Sequence, residues 1–104
     1  MKKLPPIHPG EILLEEFMKP LELSQNELAR RLGVDPRTVN QIVNGKRAIT
    51  AIMALRLARY FRMTPGFWMN LQARYDLEIA KDAAEAEIRK TVKPRTVKLR
   101  EATA

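Results

Sequence analysis

The chain contains no cysteine and a single histidine, His8. Disulfides, thiolate nucleophiles and Cys/His zinc sites are thereby excluded, and any metal would need carboxylates alone. His8 lies between Ile7 and Pro9 ahead of the first helical pattern, and reads as a surface or turn residue rather than a catalytic base. No apolar run approaches the roughly 18 residues a membrane span requires. The opening MKKLPPIHPGE meets two prolines before any apolar signal-peptide core develops, so a cytoplasmic location is expected. Period-two alternation is also missing, β-branched residues are scattered, and the four glycines fall at helix edges. An all-α fold follows, with no strands.

What the chain does have is charge of one sign in particular places. Its 104 residues are 45% apolar and 30% charged, which suits one globular domain with a modest core. The formal net charge is +7. Residues 24–47 hold five basic side chains against two acidic, and residues 48–63 hold three basic and no acidic ones. Residues 89–104 carry six against one, while residues 64–88 are acidic on balance. Such a distribution suits an anionic partner, nucleic acid foremost.

Five helical segments are predicted. The first runs from about Pro9 to Lys19, with Ile12, Leu13, Phe17, Leu14 and Met18 as its apolar face and Pro9 in its first turn. Its carboxylates, Glu11, Glu15 and Glu16, are expected on a solvated face. The second opens at Ser24, where Glu27 three residues on completes a capping box, and ends at Gly33. Asp35 caps the third, Pro36 starts it and Asn44-Gly45 closes it. Thr50 caps a fourth through Met63, packed by Ile52, Leu55, Ala58 and Phe61. Thr64-Pro65 opens a fifth that reaches about Lys90, roughly 40 Å long at 1.5 Å per residue. The basic, proline-broken residues 91–104 are expected to form a mobile tail.

The segment SQNELARRLGVDPRTVNQIVNGKR, residues 24–47, places two helices of eight or nine residues on either side of the turn Gly33-Val34-Asp35. That is the helix-turn-helix arrangement, whose second helix can enter a DNA major groove. Leu28, Ala29, Leu32, Val34, Val39 and Ile42 are needed for packing. Arg37, Thr38, Asn40 and Gln41 then point outward, with Pro36 at the tip. Arginine suits guanine, and Asn or Gln suits adenine. Gln25 and Asn26 at the amino end of the second helix, with Asn44, Lys46 and Arg47 after the third, suit phosphate. Double-stranded DNA is favoured over RNA, because no exposed aromatic platform for stacking bases is apparent. No nucleophile–base pair, phosphate loop or metal cluster supports an enzyme, and no cofactor is expected.

The helix-turn-helix resembles the phage-repressor (XRE/Cro-like, lambda-repressor-like) type. The resemblance widens through HPGEILLEEFMKPLELSQNELARRLGVDPRTVNQIVNGKRAIT, ALRLARYF and TPGFWMNLQARYDLE, which together are similar to the HigA (VapI-like) antitoxins. It covers about residues 7 to 79. The resemblance implies a five-helix DNA-binding domain over residues 1–90, its helix-turn-helix at 24–45, that represses its own operon as a dimer. It also implies a HigB-type RNA-cleaving toxin as partner. Pro36, Arg37, Asn40 and Gln41 match the family's base-reading positions, and Gln25, Asn44, Lys46 and Arg47 its backbone-contacting ones. Apolar residues of the fifth segment fall on more than one face, so a homodimer contact through helix 64–90 is expected at Trp68, Leu71 and Tyr75. A stand-alone regulator without a toxin, or a protein-binding helical adaptor, would share many of these features.

Overall fold

The computed structural model describes residues 4–96, and every regular element among them is helical. Helix α1 (Pro9–Ile12) runs without a break into a π-helical segment (Leu13–Met18). Four further helices follow: α2 (Gln25–Leu32), α3 (Pro36–Val43), α4 (Ala51–Phe61) and α5 (Pro65–Thr91). The five-helix expectation holds, with one local difference in the first. There the Lys19 N–H bonds the Leu14 carbonyl at 2.9 Å, a five-residue step. The wider turn brings positions five apart nearer to one face. Leu13 and Met18, which a regular α-helix would separate, are both buried.

The helix ends are set by short-range chemistry. Ser24 Oγ accepts the Glu27 N–H at 3.0 Å, Asp35 accepts the Arg37 N–H at 2.8 Å, and Thr50 accepts the Met53 N–H at 3.2 Å. The capping box at Ser24 is only half formed. The Glu27 carboxylate turns to Arg30 and to Arg31, the latter at 2.7 Å. Hydrogen bonds from Arg31 and Arg30 hold its pKa below the ordinary value. Gly33, at φ +72°, ends α2 in the left-handed region, and the Arg56 guanidinium caps the Leu32 carbonyl at 2.7 Å.

The core is built from Leu13, Met18, Leu28, Ala29, Leu32, Val39, Ile42, Ile49, Met53, Ala54, Leu57 and Trp68. Phe17 packs against it and meets the rings of Phe61, Phe67 and Trp68. The expected inner face of α4 is corrected here. Met53, Ala54, Leu57 and Ala58 are buried, whereas Ile52 and Leu55 remain 62% and 56% exposed. Helix α4 is apolar on most sides, so periodicity alone could not choose between two overlapping stripes.

Gly10 decides how α1 sits. A Cβ on it would lie 1.7 Å from the Ile42 carbonyl oxygen, so only glycine lets α1 rest on the back of α3. His8 is the N-cap of α1: its Nδ1 accepts the Gly10 N–H at 2.9 Å, and its ring meets Tyr75 edge-on at 4.8 Å. It is therefore half-buried structure rather than a surface residue. The expected tail begins after Thr91, where residues 92–96 are exposed and without regular structure; residues 97–104 lie outside the described part.

Candidate nucleic-acid interface

Two eight-residue helices, α2 and α3, present one continuous polar face, since Val39 and Ile42 turn the opposite side of α3 into the core. Pro36, Arg37 and Asn40 are exposed, and Thr38 and Gln41 are half-buried. The expected base-reading residues are thus together on one outward surface. Asp35 and Pro36 fix the helix start, so Arg37 emerges from its first turn, the part of a recognition helix that reaches base edges.

The flanking polar residues are tied to this helix. Asn40 Nδ2 donates to Gln25 Oε1 at 2.9 Å, joining the amino end of α2 to the middle of α3. Arg47 Nε donates to Gln41 Oε1 at 2.8 Å. The loop after α3 bends back through Gly45, at φ +73°, and the Lys46 N–H bonds the Gln41 carbonyl at 2.8 Å. Asn26, Asn44, Lys46 and Arg47 are all exposed on the rim. The hydrogen bonds hold Gln25, Asn40, Gln41 and Arg47 in place in advance, which would reduce the entropy that a contact at this face must overcome.

A buried amide that the sequence did not single out supports the rim from behind. Gln72 on α5 accepts the Ile49 N–H at 2.8 Å and donates to Asp76 at 3.0 Å. A polar residue at helical spacing among apolar ones was the available signal.

The three residues expected at a dimer contact separate. Trp68 is wholly buried inside the protomer and is corrected to a core residue. Leu71 and Tyr75 are half-buried and line an open cleft with Pro5 and Ile7. Exposed apolar residues occur further along α5, where Leu77 is 61% and Ile88 52% exposed. Among the described residues no group of carboxylates and His could hold a metal ion, and no helix is long and apolar enough to cross a membrane.

A helix pair packed on one side and bearing an ordered amide-and-guanidinium face on the other defines a helix-turn-helix DNA-binding protein. The helix-turn-helix family model matches residues 14–68. Virulence-associated protein I of Dichelobacter nodosus is 51% identical over 79 residues, covering 76% of this chain and 73% of that protein. Antitoxin HigA-1 of Vibrio cholerae is 37% identical over 94 residues, 90% of this chain and 88% of the relative. The solved structure of Pseudomonas aeruginosa antitoxin HigA with the higBA promoter superposes with a TM-score of 0.84 at 48% identity, over 86% of this chain and 97% of that one. The chain belongs to the HigA family of helix-turn-helix antitoxins.

Proposed function

We propose that this chain is a sequence-specific operator-binding repressor and antitoxin, acting in the cytoplasm as a homodimer and neutralising a HigB-type ribonuclease by direct binding. The ordered outward face of α3 carries the DNA reading. Arg37, Thr38, Asn40 and Gln41, with Pro36 in apolar contact, read base edges. Gln25, Asn26, Asn44, Lys46 and Arg47 grip phosphates and fix register. Support for a promoter as the target comes from the HigA relative solved with one. The toxin partner follows from the antitoxin relatives.

Dimerisation is assigned to α5, within the 64–90 segment. Leu77, Ala84 and Ile88 recur seven and four residues apart, on the side of the helix away from Trp68. A second copy paired along this stripe would bury it. Leu71 and Tyr75 lie on the other flank, beside the amino-terminal segment. Two-fold pairing would set two recognition helices about 34 Å apart, one turn of DNA.

The reading is tested by titrating the full chain against its own promoter and against random duplex at several salt concentrations. Specific binding should be the tighter and should fall with salt. Lys46→Ala should weaken both and flatten the salt slope by about one unit. Equal affinity for promoter and random duplex would refute operator recognition. Failure of a HigB-type toxin encoded beside this chain to co-purify with it, or the lack of any such neighbour, would remove the antitoxin part and leave a repressor. A monomer by sedimentation at micromolar concentration, free and on DNA, would dispose of the α5 dimer.

A further inference from the structure

We propose that Arg47 sets how Gln41 reads DNA, so that the pair selects keto bases, guanine or thymine, over amino bases at one position of each half-site. This rests on the operator-binding reading above and adds to it a chemical preference.

The two amides of the interface differ in what their hydrogen bonds determine. Asn40 and Gln25 face each other as amide to amide, at 2.9 Å. Either could donate and either accept, so that contact holds position without fixing which atom looks outward. Gln41 meets Arg47 Nε at 2.8 Å instead. A guanidinium only donates, so the Gln41 atom facing it must be the carbonyl oxygen. Flipping that amide would set N–H against N–H beside a positive charge. The orientation is dictated by the partner's chemistry.

The backbone keeps the partner in place. The Gly45 N–H bonds the Ile42 carbonyl at 3.0 Å and the Lys46 N–H bonds the Gln41 carbonyl at 2.8 Å. This return of the chain brings Arg47 beside a residue six positions earlier. Gln41 is half-buried, which restricts its rotamers, while Arg47 is exposed. The two terminal guanidinium nitrogens are not used in this contact and can still grip a phosphate. One side chain would then anchor the backbone and orient the reader.

With its oxygen engaged by a cation, Gln41 offers its NH2 group to the groove. In the major groove guanine presents O6 and N7 and thymine presents O4, all acceptors. Cytosine offers only the N4 donor, and adenine, though it has an N7 acceptor, sets the N6 donor beside it. Both donors would have to share the oxygen with Arg47, so the bidentate amide–adenine pair is weakened and a lone N7 contact is all that adenine keeps. Arg47 is thus a positioning residue for Gln41 as well as a phosphate contact.

The test begins with selection of binding sites by the full chain from a random duplex library. Affinity is then measured for all four base pairs at each selected position. The position whose preference Gln41→Ala levels is the one Gln41 reads. There the wild type should favour guanine or thymine by about tenfold. Arg47→Ala should bring that ratio close to unity whatever it does to total affinity. Gln41→Glu keeps an oxygen toward Arg47 but lacks the donor, and should invert the preference toward cytosine or adenine. An unchanged ratio in Arg47→Ala, a wild-type preference for an amino base, or no position answering to Gln41→Ala would each overturn the inference. If the library yields no consensus at all, the operator reading itself fails.

Discussion

Between Ser24 and Val43 the chain is closed at its helix ends and divided cleanly into inward and outward residues; beyond Asp76 it is a single helix with little beneath it. In the first region, capping by Ser24 and Asp35, the left-handed turn at Gly33 and burial of Leu28, Ala29, Leu32, Val39 and Ile42 settle the geometry locally. In the second, α5 continues to Thr91 while its last buried side chain is Gln72. The long axis of the described molecule is 55 Å against 31 and 24 Å for the others, and α5, 27 residues and about 40 Å long, is its largest single contributor. One region is complete in a single copy. The other leaves Leu77 and Ile88 in water, where the proposed second copy would give them a place.

Four variants can break or sharpen this contrast. The largest effect is expected from Gly10→Ala, which drives a methyl into the Ile42 carbonyl on the back of α3. It should cost more than about 3 kcal/mol, since backbone cannot yield as a side chain does. Denaturant unfolding would show it, and a loss below about 1 kcal/mol would mean that α1 can simply slide aside.

The double change Leu77→Glu with Ile88→Glu should leave protomer folding within about 0.5 kcal/mol, because both sites are exposed. It should dissociate the proposed dimer and lower operator affinity by about a hundredfold through lost avidity. An unaltered sedimentation profile would move the dimer contact elsewhere. Arg37→Ala should remove about 1–3 kcal/mol from specific binding if it pairs bidentately with guanine. Equal losses on specific and random duplex would demote Arg37 to a phosphate contact.

The smallest effect concerns His8. Burial pulls its pKa below the usual 6.5, and the Asp76 carboxylate partly offsets this. A depressed histidine pKa means that the unfolded chain takes up the proton first. The contribution to stability is therefore complete above about pH 6.5 and declines as pH falls toward the folded-state value. Protonation also removes the lone pair that caps Gly10. His8→Asn caps without titrating, so it should change neutral stability by at most about 1 kcal/mol and reduce the acid-side decline. Parallel decline in both proteins would show that other groups govern it.

The helix pair that carries the candidate interface was legible because its signals are short-range. A cap, a proline at the first helical position and a glycine past the end all act within a few residues, and they place α2 and α3 to the residue. What lay hidden depends on contacts across the fold. The need for glycine at position 10 comes from a carbonyl 32 residues away in the chain. Glu27, which suggested a complete capping box, had two arginines within a helical turn competing for it. Trp68 could pack inward or outward by periodicity alone, and the aromatic cluster with Phe17 drew it in. Arg56 adds charge to a basic segment, yet it closes the end of α2 from α4.

Gln72 has a mechanical meaning. Its side chain clasps the backbone at Ile49, just past the loop that carries Lys46 and Arg47, while belonging to the helix proposed to join two copies. The lever that would space the two halves of a dimer and the rim that would hold DNA are thus riveted at one buried amide. A rotation of α5 about its neighbour would be felt at the rim on each side, so in the proposed dimer the angle between protomers and the grip on phosphate would be set by the same joint.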